Sequence, residues 1–204
     1  AAPFYTNQIE VIRSIAKALP INYKLYVKEH PGQIQRTWRS KSEYEQIMNI
    51  PNVVLLHPNV SNEEIYEKCE LVITIAGSSG FEALFYRKPV ITFSNMYYSI
   101  LPSVRTFESF EKLSEQIKES KSEIIDSSDL DKFVSLIEKN VLNFDLLDFT
   151  RRIKKEFFND GNLLDVRISE EEMKGFLEKN NVMLKYLADA HVEKIMYLEN
   201  LEMK

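Results

Sequence analysis

Residues 72–93, VITIAGSSGFEALFYRKPVITF, constrain the fold more than any other stretch of the chain. Residues 72–75 are an apolar, β-branched run, too short for a helix and typical of a strand buried on both faces. The run stops at Ala76 and Gly77. Ser78, Ser79 and Gly80 supply the small side chains of a strand-to-helix turn, helix formers continue over 81–87, and Lys88-Pro89 ends them. Residues 90–93 repeat the strand signature. Together they form a βαβ unit with a Gly/Ser turn at the C-terminal end of its first strand, where open α/β sheets bind ligands.

Two readings of that turn stay open. Backbone N–H groups at a helix N-terminus, with serine hydroxyls beside them, suit an anion such as phosphate. The same composition also makes an ordinary helix cap, and the spacing is neither that of a Walker loop nor that of a dinucleotide fingerprint. Glu82 is equally two-sided: it complements the helix dipole, or it reaches the hydroxyl pair of a ribose.

The preceding chain repeats the strand-then-polar-turn arrangement. Residues 7–19 carry Ile9, Ile12, Ile15, Ala16 and Leu19 at helical spacing, with Pro20 as the stop. Residues 23–27 read as a strand that runs into Lys28-Glu29-His30-Pro31-Gly32. The His30 imidazole either donates to a phosphate oxygen or serves the turn set by Pro31 and Gly32. Arg36 and Arg39 follow in a loop, as an anion clamp or as solvated charges. A short helix over 42–48 leads to a buried strand over 53–56, which ends in His57-Pro58-Asn59. Ser61 with Glu64 reads as a capping box opening a helix to about 68. Strand and helix alternate at the pitch of a parallel sheet, so the three polar ends, EHPG, HPN and AGSSG, are expected along one edge with room for an extended ligand.

Composition narrows the class. With 204 residues, 44% of them hydrophobic, the chain suits one α/β domain plus an appendage. A net charge of −5 and the absence of a basic run interleaved with aromatics argue against a nucleic-acid surface. The single cysteine, Cys69, has no partner for an internal disulfide, so it is expected buried and inert in a reducing compartment. No apolar run approaches the ~20 residues of a membrane span, and the first residues lack a leader pattern. The expected location is the cytoplasm, including the inner face of the membrane. No carboxylate pair at a strand end and no Cys/His cluster suggests a metal, so no metal or cofactor is expected.

After the βαβ unit, Tyr97 and Tyr98 in NMYYS either line the cleft or pack in the core. An edge strand over 104–107 and helices over 110–117 and 130–141 complete a Rossmann-like domain closing near 143. Residues 144–204 turn helical and charged. Ser169 with Glu172 is a capping box, and an apolar stripe from Leu177 to Leu201 suits helix pairing or self-association. His191 lies at the edge of that stripe and reads as structural.

The motifs YVKEHPGQ, RSKSEYEQIMNIPNVVLLHPNVS and LVITIAGSSGFEALFYRKPVITF resemble, in order and spacing, the capsule polysaccharide synthesis family, which contains CMP-Kdo transferases. The resemblance covers residues 3–98 and continues more thinly to 143. It implies the C-terminal, donor-binding half of a GT-B glycosyltransferase: a Rossmann-like parallel sheet with helices on both faces over 1–143, followed by an α-helical extension over 144–204. In such enzymes an HP motif and a later Ser/Thr pair contact the CMP portion of a nucleotide sugar; these fall on His30-Pro31 and Ser78-Ser79. Glu82 matches the acidic residue on the donor ribose, and Lys28, Glu29 and Arg39 match by position. Pro58 of the second HP pair and Gly77 and Gly80 of the serine turn complete the implied nucleotide site. His30 is the candidate stabiliser of the leaving phosphate. Relatives carry a Thr-Gly-Thr type turn where this chain has Ala76-Gly77-Ser78. The resemblance also implies an N-terminal acceptor domain as partner, so the chain reads as a fragment without transfer activity of its own. A UDP-sugar epimerase-like domain and a non-catalytic interaction module with a vestigial cleft are the alternatives.

Overall fold

The computed structural model describes residues 5–30, 39–123, 125–163 and 165–202. The chain divides into two compact units, Ala1–Leu136 and Ile137–Lys204, a division that falls earlier than the one read after residue 143.

In the first unit helices and strands alternate: α1 (Gln8–Ala18), β1 (Leu25–Lys28), α2 (Lys41–Met48), β2 (Val53–Leu56), α3 (Asn62–Lys68), β3 (Val72–Thr74), α4 (Ser79–Phe85) and β4 (Val90–Thr92). β5 (Val104–Thr106), α5 (Leu113–Ser122) and the start of α6 (Ser127–Asn140) follow. Every strand pairing is parallel, and helices flank the strands, as the alternation requires. The strands form two ladders, β1-β2 and β3-β4-β5, where one continuous sheet was expected.

Apolar packing joins what hydrogen bonds do not. From α1, Ile9 and Ala16 pack with Ile47 and Val53, while Val11 and Ile15 pack with Ile91, Phe93, Phe107, Leu113 and Ile117. Leu25 of β1 lies against both clusters, so α1 spans the two ladders as a shared cover. β4 is buried throughout. Ile91 joins the cluster under α1 and α5, and Val90 approaches Gly80 of α4, so its two faces are covered by different helices.

Local chemistry explains most boundaries. Asn7 caps α1, and Ser40 with Glu43 forms a complete capping box on α2. Ser61 accepts from the Glu64 amide, but Glu64 turns to Lys68 in place of completing the box. α4 starts before and stops before the expected 81–87, because Arg87 takes a left-handed conformation, φ 54°, that ends the helix. α5 begins after the expected 110; Phe110 instead packs against Tyr5, Phe93 and Phe107.

The second unit is helical: α7 (Leu146–Phe157), a 3-10 turn at Asn159–Gly161, α8 (Glu170–Lys179) and α9 (Asn181–Glu202). The Ser169–Glu172 capping box forms with both of its bonds. Phe176 packs on Phe149 and Phe157. His191 is exposed and bonds the Leu187 carbonyl one turn back, a local role. No helix among the described residues is long and apolar enough to cross a membrane.

Candidate functional site

Parallel pairing puts the C-terminal ends of paired strands side by side, so the segments after β1 and β2 share one edge, as do those after β3 and β4. A chain of hydrogen bonds then ties β1 to the serine turn. Lys28, the last residue of β1, donates from Nζ to Oδ1 of Asn62 at 2.5 Å. Asn62, the first residue of α3, donates from Nδ2 to Oε2 of Glu82 at 3.0 Å. Glu82, in the first turn of α4, also accepts from the Ser78 hydroxyl on Oε1 at 3.1 Å and from the Tyr66 phenol on Oε2 at 3.3 Å. Tyr66 bonds the Ser79 carbonyl as well, at 3.0 Å. Three separate turns are thereby held as one assembly.

The electrostatics of that assembly are specific. Among the described residues no carboxylate lies within 4.0 Å of the Lys28 ammonium, which instead donates to a neutral amide. Burial, and then the Glu82 carboxylate, push the Tyr66 phenol well above its ordinary value, so it remains a donor to Glu82. Ser78 stands at the helix N-cap, yet its hydroxyl does not cap the helix and goes to Glu82. The plain capping account of this serine is therefore not the one realised. Among the described residues the amides of Ser78 and Ser79 and the Ser79 hydroxyl have no hydrogen-bond partner.

The two turn glycines are explained by close approach. A Cβ on Gly77 would sit 2.8 Å from Thr74 Oγ1, and one on Gly80 would sit 2.5 Å from the Tyr98 hydroxyl. Tyr98 is fully buried and donates to the Gly77 carbonyl at 2.6 Å, propping the turn from below. Burial holds its phenol up at about 12. Of the two adjacent tyrosines, Tyr98 is thus core. Tyr97 is exposed and packs against Phe81, beside Glu82.

Other residues singled out in the sequence have different surroundings. Glu29 is engaged on both oxygens, by Arg39 and by the Tyr44 phenol at 2.7 Å. Arg39 bonds Gln8 too, so its guanidinium is neither a solvated charge nor an unoccupied clamp: the pair joins the chain on either side of residues 30–38. That hydrogen bond to Glu29 raises the Tyr44 phenol above its usual range. His30 is exposed, two residues past Lys28; Pro31, Gly32 and Arg36 lie outside the described residues. His57 accepts the Asn59 amide on Nδ1 at 3.2 Å across Pro58, a turn function. Cys69 is half-buried where burial was expected to be complete, and the desolvation it suffers raises its thiol, keeping it protonated. No group of three or more His, Cys, Asp or Glu side chains among the described residues could hold a metal ion.

Sequence reasoning missed Asn62 and Tyr66. A signal existed: both stand on α3 one turn apart, just past the HPN turn, so they share a face near the strand ends.

The model of the capsule polysaccharide biosynthesis protein family matches residues 5–122. The chain belongs to this family. Its membership carries a role in capsule polysaccharide synthesis, and the matched span includes Lys28, Asn62, Tyr66, Ser78 and Glu82. No curated protein and no solved structure matched the chain.

Proposed function

We propose that the α/β unit of this capsule-family chain binds the donor nucleotide of a glycosyltransferase, a CMP-activated acidic sugar such as CMP-Kdo, as one half of a GT-B enzyme. The observation that carries the reading is the linkage of Lys28, Asn62, Glu82 and Ser78 from three separate turns. Glycosyl transfer from a nucleotide builds negative charge on the departing phosphate, and fixed donors aimed at that charge lower the barrier. Lys28, the Ser79 hydroxyl and the turn amides are the groups assigned to it, with His30 as a further donor. Glu82 takes the ribose by exchanging the Ser78 hydroxyl for a sugar hydroxyl. No metal enters the scheme. The acceptor and its general base belong to a partner domain, and the exposed apolar side chains of α9 offer a route to self-association.

The test is calorimetric titration of the full chain with CMP, UMP, UDP and GDP. CMP is expected to bind, with each of Ser79→Ala and His30→Ala costing roughly tenfold in affinity, the size of one hydrogen bond to a charged group. Preference for UDP turns the reading toward an epimerase-like domain. No binding at millimolar nucleotide, together with a stable complex formed through residues 144–204, points to a non-catalytic module.

A further inference from the structure

We propose that Asn62 is a positioning residue: its side-chain amide holds the Lys28 ammonium apart from the Glu82 carboxylate and so reserves that positive charge for the phosphate of a nucleotide. The inference rests on the nucleotide-binding reading above and gives it a mechanism.

The orientation of the amide is dictated by its neighbours. An ammonium only donates and a carboxylate only accepts, so Oδ1 must face Lys28 and Nδ2 must face Glu82. The amide dipole then lies with its negative end on the cation and its positive end on the anion, favourable to both. Remove it, and a flexible lysine beside a carboxylate closes into an ion pair, since opposite charges at contact attract by several kcal/mol even at an effective dielectric of about 20. That pair would spend the charge internally. With the amide in place the ammonium keeps two further N–H donors and its full charge.

Asn62 is itself well fixed. It opens α3, whose cap Ser61 accepts the Glu64 amide at 3.2 Å, and Tyr66 one turn later bonds the same Glu82 oxygen. Glu82 cannot swing toward Lys28 without giving up Ser78 and Tyr66. The lysine is the mobile partner, and the amide is what stops it.

The experiment measures affinity of the full chain for CMP and UMP, each against its own nucleoside, in the wild type and in Asn62→Ala, Asn62→Asp, Lys28→Met and the Lys28→Met/Asn62→Ala double variant. The Asp variant keeps the side-chain size, so a misfolded Ala variant does not end the test. Both Asn62 variants are expected to lose roughly tenfold or more in nucleotide affinity, the scale of one charge-assisted phosphate contact, with nucleoside affinity moving far less. Lys28→Met removes the phosphate advantage, and adding Asn62→Ala to it costs nothing further, because Asn62 acts through Lys28. Unchanged nucleotide-to-nucleoside ratios in the Asn62 variants, or an Asn62→Ala penalty that persists without Lys28, overturn the inference alone. A wild type that binds neither nucleotide overturns the donor-binding reading and this inference together.

Discussion

The two units put helices of similar apolar content to different effect. α1 in the first unit buries Ile9, Val11, Ile15 and Ala16, because strands and two further helices, α2 and α5, close over its apolar faces. α9 in the second is longer and just as rich in apolar residues, yet Val182 is 87% exposed and Val192, Ile195, Met196 and Leu198 are about half exposed. Helical periodicity states which residues could share a face; a second layer decides whether that face leaves water. The first unit therefore supports a rigid rim of charged and polar groups, while the second has Phe157, Phe176 and Asn180 as its buried residues among those described.

The sharpest way to break that contrast is Phe176→Ala. Phe176 is 4% exposed between Phe149 and Phe157, and truncating it should cost about 3–4 kcal/mol. Urea titration followed by helical circular dichroism should show an early transition for the helical unit and an unmoved one for the α/β unit. A single, uniformly weakened transition would mean that the two units fold as one.

A glycine-to-alanine pair sharpens it next. Gly80→Ala forces a Cβ against the Tyr98 hydroxyl at 2.5 Å, with Val90 and Thr74 close behind, and should destabilise by about 2 kcal/mol. Gly175→Ala in α8 meets nothing within 4 Å and should stabilise by about 1 kcal/mol through helix propensity. One substitution type with opposite signs in melting temperature is the expected result; equal signs would contradict the packing difference.

The smallest effect concerns pH. The Tyr98 phenol is held at about 12, above its ordinary value of 10.0, so the protonated form is the one the fold favours. Stability from this group is complete below pH 10 and declines as pH rises toward 12. Tyr98→Phe should cost about 1–2 kcal/mol at neutral pH by stripping the Gly77 carbonyl of its partner. It should also flatten the alkaline loss between pH 10 and 12, read as melting temperature against pH. A variant that keeps the full alkaline loss would assign it to other tyrosines.

Much of the α/β order was legible. The β-branched runs at 53–56, 72–75 and 90–93 are strands within a residue, and alternation with helices forced parallel pairing. The division into two ladders was not legible, because strand pairing depends on partners distant in the chain. At the rim, the serine turn and Lys28 were readable as strand-end polar groups. The partners of Asn62 were not, since nothing local to NEEIYEK says that its amide meets a lysine from β1 and a glutamate from α4. Arg39 shows the converse: as a loop residue it promised either a solvated charge or an anion clamp, and its pairing with Glu29 depends on the return of the chain to β1.

The sequence by itself determined the elements: where apolar residues recur every second or every third to fourth position, where glycine, proline and capping serines interrupt them, and which family the chain belongs to. Those are properties of neighbours along the chain, governed by sterics and local hydrogen bonding. Only the tertiary structure decided which charges cancel and which remain. Glu29 and Arg39 consume each other, whereas Lys28 meets an amide and keeps its charge, because electrostatic partnership depends on distances that folding sets.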